Sequence, residues 1–234
     1  MSRRERLRDN TREEIKALAR TQMATSGTAA LSLGAIARAM EMVPSALYRY
    51  YASRDDLITA LIVDAFDALG QAAADADAQA AASDYGTRML ATTLAYRAWA
   101  LANPTDFLLI FGTPIPGYDA PPEPTNAAVR RAFSVFLRIL QAAYAAGALR
   151  PPPEHEQQAA RQSLERHTVE SGTAIAIAPV VNYTGMACWG RMHGLVILEV
   201  TKHLQPGIAD TAAFYRAEMI ATLKSIGLDP HDTS

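Results

Sequence analysis

Along this 234-residue chain, apolar residues recur every three or four positions in one segment after another, the signature of amphipathic helices. Ile15, Leu18, Ala19 and Met23 form one such stripe. Thr11-Arg12-Glu13-Glu14 has the capping-box spacing that starts a helix, and Gly27 is placed to stop it. Leu33, Ile36, Ala37 and Met40 predict a second helix capped by Ser32. The chain then turns at Glu41-Met42-Val43 and re-enters helix at Pro44, whose missing N–H costs nothing at a first helical position. The third helix, Ser45 to Tyr51, is very short, with Leu47 and Tyr51 on one face and Ser45, Tyr48 and Arg49 on the other. Ser53 and Asp56 cap a long helix that runs from Arg54 through Leu57, Leu61, Ala65 and Phe66 to about Asp77.

Beyond it, helices are expected over Ser83 to Asn103 (Met89, Leu90, Leu94, Ala98 and Leu101 buried) and over Thr105 to Phe111. A loop with five prolines, Gly112 to Pro124, precedes a helix over Thr125 to Gly147 with Val129, Phe133, Phe136, Leu140 and Tyr144 inside. A polar helix starting near Glu154 turns apolar after Gly172. Tyr183 to Leu204 is strongly apolar, and a last helix spans Asp210 to Gly227. The count is nine or ten helices with no persuasive strand, so the expected fold is all-α.

Two short helices crossing steeply, with hydrogen-bonding side chains on the second, are what a helix-turn-helix needs to enter a major groove. The run Ser32-Leu33 … Ile36-Ala37 … Ala46-Leu47-Tyr48-Arg49-Tyr50-Tyr51 … Ser53-Arg54-Asp55-Asp56-Leu57 resembles the N-terminal domain of TetR-type transcriptional regulators. Four positions depart from that pattern. Glu41 replaces the turn glycine, Val43 the capping Ser or Thr, Arg54 the usual Lys, and Tyr51 the usual Phe. Ala102-Asn103-Pro104 and Trp189-Gly190-Arg191-Met192-His193-Gly194 … Leu198-Glu199 resemble the regulatory domain of one TetR branch, which carries a Trp…His-Gly signature on its penultimate helix.

The resemblance implies a three-helix DNA-binding domain over 1–53 and a larger ligand-binding and dimerisation domain over 54–234. It implies a cytoplasmic homodimer on double-stranded operator DNA, most simply a repressor released by a small effector. Ser32, Gly34, Val43, Pro44, Ser45, Tyr48, Arg49, Tyr50 and Arg54 are then the DNA-contacting residues, with Tyr48 and Arg54 on phosphates and Arg49 on a guanine. The alternative is a small-molecule-binding or scaffolding protein with a vestigial helix-turn-helix, which Glu41 and Val43 keep open.

Composition sharpens this picture. Net charge is −2, yet residues 1–60 carry ten Lys/Arg against seven Asp/Glu while the remainder carries twelve against seventeen. A small basic reader on an acidic body fits that asymmetry. Arg3, Arg4, Arg6 and Arg8 form a charged arm, read either as a DNA contact or as a solvated tail. The charged N-terminus does not look like a signal peptide, no apolar run of eighteen residues is evident, and the lone Cys188 suits a reducing compartment.

An enzyme is not expected. His193 and Cys188 are five apart on one helix and diverge, no nucleophile elbow precedes the cysteine, and the five histidines lack paired ligand spacing, so neither metal nor cofactor is called for. A lipophilic or aromatic effector fits the body better. Met89, Trp99, Phe107, Phe111, Phe133, Phe136, Met186 and Trp189 are candidate walls, with Tyr96, Tyr144, Asn182, Tyr183 and His193 as polar anchors, although any of them can equally be ordinary core. Gly190 and Gly194 share a helix face that allows close approach, either by a second copy, with Leu198 beside it and Arg191 and Glu199 as rim charges, or within one chain.

Overall fold

The computed structural model describes residues 2–80, 84–159, 161–162 and 177–230. The described elements are α-helical, with one short 3-10 turn. They comprise α1 (Arg3–Ser26), the 3-10 turn Thr28–Ala30, α2 (Leu33–Ala39), α3 (Pro44–Leu47), α4 (Arg54–Ala78), α5 (Tyr85–Ala102), α6 (Pro104–Phe111), α7 (Pro122–Ala145), α8 (residues 154–159), α9 (Pro179–Val200) and α10 (Thr211–Ser225). The apolar part expected of the polar helix after Gly172 lies outside the described residues.

The chain forms two compact units. The first joins Met1–Ala68 to Asn103–Arg130, and the second joins Leu69–Ala102 to Arg131–Ser234. Helices α4 and α7 each begin in the first unit and end in the second.

In the first unit, Ile15, Ala19, Met23, Leu31, Leu33, Ile36, Ala37, Leu47, Tyr51, Leu57, Ile58 and Leu61 form the core. The predicted stripes of the first four helices are all represented there. Charged pairs fasten the perimeter. Lys16 Nζ donates to Asp64 at 2.6 Å and meets Glu13 at 2.6 Å, and Arg20 Nε donates to both carboxylate oxygens of Asp106 on α6. Burial works against the Lys16 charge, but its two carboxylates outweigh that and raise its pKa.

Some boundaries differ from the sequence reading. Helix α1 starts eight residues before Thr11, because Ser2 and Glu5 form a capping box of their own. Thr11 instead donates its hydroxyl to the Leu7 carbonyl inside the helix. Helix α3 ends at Leu47, and residues 48–50 continue as a turn. Helix α4 is long and apolar enough to cross a bilayer by length and composition. An apolar run of that kind therefore does exist, but its Leu57, Ile58, Leu61 and Ala65 are buried in protein.

In the second unit, α5 presents a different face from the expected one. Ala98 and Leu101 are exposed, whereas Thr92, Thr93 and Tyr96 are buried with Met89, Leu90 and Trp99. Threonine can sit there because Thr92 and Thr93 donate their hydroxyls to the Met89 and Leu90 carbonyls of the same helix. Tyr144 of α7 is also exposed, at 43%, rather than buried.

Candidate nucleic-acid interface and effector site

The reading segment is assembled from the backbone upward. Ser32 Oγ accepts the Ala35 N–H to start α2, and the Ser32 N–H is held by Gln22 Oε1 of α1 at 2.8 Å. After α2, the Met42 N–H reaches back to the Ala37 carbonyl at 2.9 Å, with Glu41 in the left-handed region at φ 55°. The turn therefore keeps the backbone that a glycine favours, at the cost of holding an L side chain there. Val43 takes the N-cap position of α3 with no side-chain hydrogen bond, and Pro44 occupies the first turn. Within this short element Leu47 and Tyr51 are buried. Val43, Pro44, Ser45, Tyr48 and Arg49 are exposed, and Tyr50 is half-buried. The predicted division of faces holds, with Tyr48 at 53% exposure.

Four of the nine residues named as DNA contacts line one open cleft of about 410 Å³: Ser32, Gly34, Tyr48 and Arg54, together with Leu31, Leu33, Ala52 and Ser53. Two helix N-termini open into it. That of α2 is capped by Ser32, and that of α4 by Ser53 Oγ accepting the Asp56 N–H at 3.0 Å. The partial positive charge at the starts of two helices favours an anion there, offset in part by Asp55, whose carboxylate lies 3.7 Å from Arg54. A Cβ on Gly34 would meet only Arg38 at 3.7 Å and Ser32 at 3.8 Å, so the chain itself leaves that corner open.

Arg54 has a second task that its sequence position does not reveal. Its Nε donates to the Leu31 carbonyl at 3.0 Å, and Nη2 to those of Ala29 and Thr28 at 3.3 and 3.4 Å. The guanidinium thus ties the start of α4 to the 3-10 turn while its charge stays at the cleft edge.

In the second unit, five of the predicted effector residues form a ring cluster. The Tyr96 hydroxyl and His193 Nδ1 share a hydrogen bond of 2.8 Å. Trp189 stacks on His193 with centroids 5.0 Å apart, Phe133 meets Trp189 edge-on at 5.8 Å, and Phe136 lies edge-on to Tyr96 at 6.5 Å. Burial pushes the Tyr96 phenol up and the His193 imidazole down, so both favour their neutral forms. Met89 and Trp99 are also buried on α5, while Met186 is 57% exposed. Phe107 and Phe111 belong to the first unit, where they pack together at 5.3 Å and Phe111 meets Phe66 at 5.7 Å. Tyr183 lines a separate hollow of about 270 Å³ with Arg150, Pro152, Glu156 and Thr184.

Beside the ring cluster lies an ion pair that the sequence reading missed. Arg97 donates through Nε and Nη2 to Glu199, at 2.7 and 2.5 Å, and Thr211 Oγ1 donates to the same carboxylate at 2.6 Å. Glu199 is 4% exposed, so the expectation of a rim charge is corrected: the carboxylate is an interior group. Burial raises its pKa, but Arg97 and Thr211 outweigh that and hold it below the usual range. Arg97 also lies 5.7 Å from the Tyr215 ring centroid. No local pattern links positions 97, 199 and 211, so no sequence signal was available to find this group.

On α9, a Cβ added to Gly190 or Gly194 would meet nothing within 4 Å. Among the described residues, then, close packing within one chain does not account for these glycines. Leu198 is 43% exposed, and Arg191 pairs with Glu218 of α10 at 2.6 Å. Burial pushes the Cys188 thiol up to about 11, far from a nucleophile's range.

An all-α chain with a buried brace, a tight turn and an outward-facing short helix defines the helix-turn-helix class of DNA-binding proteins. Two family profiles agree with it. "Bacterial regulatory proteins, tetR family" matches residues 15–61, and "Tetracyclin repressor-like, C-terminal domain" matches residues 89–222. The chain belongs to the TetR family of transcriptional regulators, a family of regulators and not of enzymes. It is 37% identical over 169 residues to the HTH-type transcriptional regulator Rv1816 of Mycobacterium tuberculosis, which covers 70% of this chain and 72% of that protein. The solved structure of SCO4313 is 33% identical, with a TM-score of 0.78 over 95% of this chain and 100% of that one. RolR, solved in complex with resorcinol, shares the fold at a TM-score of 0.54 and 14% identity, over 96% of this chain and 91% of that one.

Proposed function

We propose that this regulator is a homodimeric repressor whose two copies of α3 enter successive major grooves of a pseudo-palindromic operator, and that a small lipophilic or aromatic effector releases it. The observation that carries the DNA half is the outward face of α3 beside the anion-favouring cleft. Arg49 takes the guanine contact, with Pro44, Ser45 and Tyr50 along the groove edge. Tyr48, Ser32 and the Gly34 corner receive phosphates, Val43 lies at the groove rim, and Arg54 adds charge while holding the cleft in shape.

The effector half rests on the ring cluster of Tyr96, Phe133, Phe136, Trp189 and His193, which offers apolar walls and one polar pair. Met89, Trp99, Phe107, Phe111, Tyr144 and Met186 act as supporting core or outer surface in this reading. RolR, a protein of this fold, holds resorcinol, a small aromatic of the class proposed. Helix α4 starts at the reading head and ends in the second unit, so it is the element through which an effector would act. Release extends only as far as the effector prefers the non-binding state, about 1.4 kcal/mol for each tenfold in operator affinity. The dimer seam is the open face of α9 around Gly190, Arg191, Gly194 and Leu198.

A gel shift on the DNA directly upstream of the protein's own gene, run at rising salt, tests the DNA half, and loss of the shift on adding lipophilic aromatics found by thermal shift tests the effector half. A protein that stabilises with such compounds but shifts no DNA would instead support the ligand-binding alternative. Sedimentation of Gly194→Leu should show monomer or a weakened dimer, and an unchanged dimer would refute the seam.

A further inference from the structure

The first turns of α1 carry a row of cations for which the site described above has no role. Arg4, Arg8 and Arg12 fall at i, i+4 and i+8 and so share one helix face. Continued along the helix, that face runs into Ile15 and Ala19, the residues α1 buries in the core of the first unit. The row therefore lies on the side of α1 turned toward the helix-turn-helix.

Arg12 shows this directly, since its guanidinium carbon sits 4.8 Å from the ring centroid of Tyr51, the residue that closes the reading segment. Residues 2–10 are exposed throughout, Leu7 at 59%, yet from Arg3 on they are helical and closed by the Ser2–Glu5 capping box. From Arg12 to Arg4 the row extends about 12 Å, at roughly 1.5 Å per residue. Glu5 is engaged by the Ser2 backbone, and Asp9 does not share the i, i+4 row. An ordered, uncovered helix that carries arginines on its domain-facing side is built to meet a polyanion beyond the edge of the domain.

We propose that α1 is a second DNA-binding element: Arg4 and Arg8, with Arg12 as the pivot against Tyr51, contact the sugar-phosphate backbone of the duplex flanking each half-site. The proposal rests on the reading of α3 as the DNA-entering helix. Being phosphate contacts, these add affinity and salt dependence without base preference.

The test uses the full chain, with duplexes selected by the wild type from a random pool, and follows binding by fluorescence anisotropy over a range of salt. One duplex keeps long flanks and the other is trimmed to the half-site edges. R4Q/R8Q should keep the wild-type base preference, bind the long duplex more weakly, and show a log–log salt slope shallower by about 2 per bound chain. On the trimmed duplex, wild type and variant should bind alike. R4K/R8K, which keeps the charge, should keep the slope, and circular dichroism checks that both variants retain the helix. A wild-type salt slope in R4Q/R8Q, or an equal loss on both duplexes, overturns the proposal while leaving the reading of α3 intact. A wild type that selects no duplex at all overturns both.

Discussion

The two units place their polar groups in opposite ways. In the first, Ser45 of a short helix and Tyr48 and Arg49 of the turn after it are exposed, over an underside of Leu47 and Tyr51. In the second, buried Tyr96 is matched with half-buried His193, and buried Glu199 with half-buried Arg97 and Thr211. An outward face tolerates change in stability terms and is sensitive in binding terms. An interior network has the reverse sensitivity, because removing one member leaves the others buried and unpaired. Changes to the outward face and changes to the inner network should therefore separate cleanly in stability measurements.

The largest effect is expected from Glu199→Ala, which strands Arg97 in the second unit. Urea denaturation should report a loss of about 3 kcal/mol or more. A loss within the range of ordinary surface changes would mean that the pair is not effectively buried.

A smaller effect concerns His193. Its folded pKa lies below the ordinary 6.5, so as pH falls past that value the unfolded chain takes up a proton that the folded chain resists. Stability is therefore full above that window and declines toward acid. His193→Phe should flatten the decline in melting temperature between about pH 7.5 and pH 5.5, and an unaltered decline would assign it to other groups.

The smallest effect belongs to the turn of the reading head. Glu41→Gly relieves a left-handed L residue and should raise stability by up to about 1 kcal/mol, whereas Glu41→Ala should not. Equal responses to the two would show that the turn conformation carries no strain.

The same contrast explains what could be read from the chain. The reading head is built from neighbours in sequence: the Ser32 cap, the Pro44 start, and the Leu47 and Tyr51 underside. Local periodicity and capping chemistry were enough to predict its faces. The true start of α1 escaped because two capping boxes compete, and the earlier one, at Ser2, is satisfied by its own helix. The bond from Gln22 to Ser32, the Arg54 tie to the 3-10 turn, and the Arg97–Glu199–Thr211 group join residues far apart in the chain. No periodicity encodes such pairs. Helix α5 misled for a related reason: its buried face contains threonines, which look polar in sequence but satisfy themselves on the helix backbone. Of the aromatic residues named for the effector, composition could pick the types but could not say that Phe107 and Phe111 pack in the first unit.

The central claim is that the outer edge of α3 and of the turn after it reads bases, and that Arg49 in that turn is the principal reader. Binding-site selection from random duplexes, run in parallel on the wild type and Arg49→Ala, addresses it most directly. The wild type should yield a two-fold-related consensus with a guanine in each half-site. The variant should lose preference at that guanine, with affinity for the wild-type consensus reduced by about 1–3 kcal/mol. An identical consensus and affinity in the variant would contradict the claim.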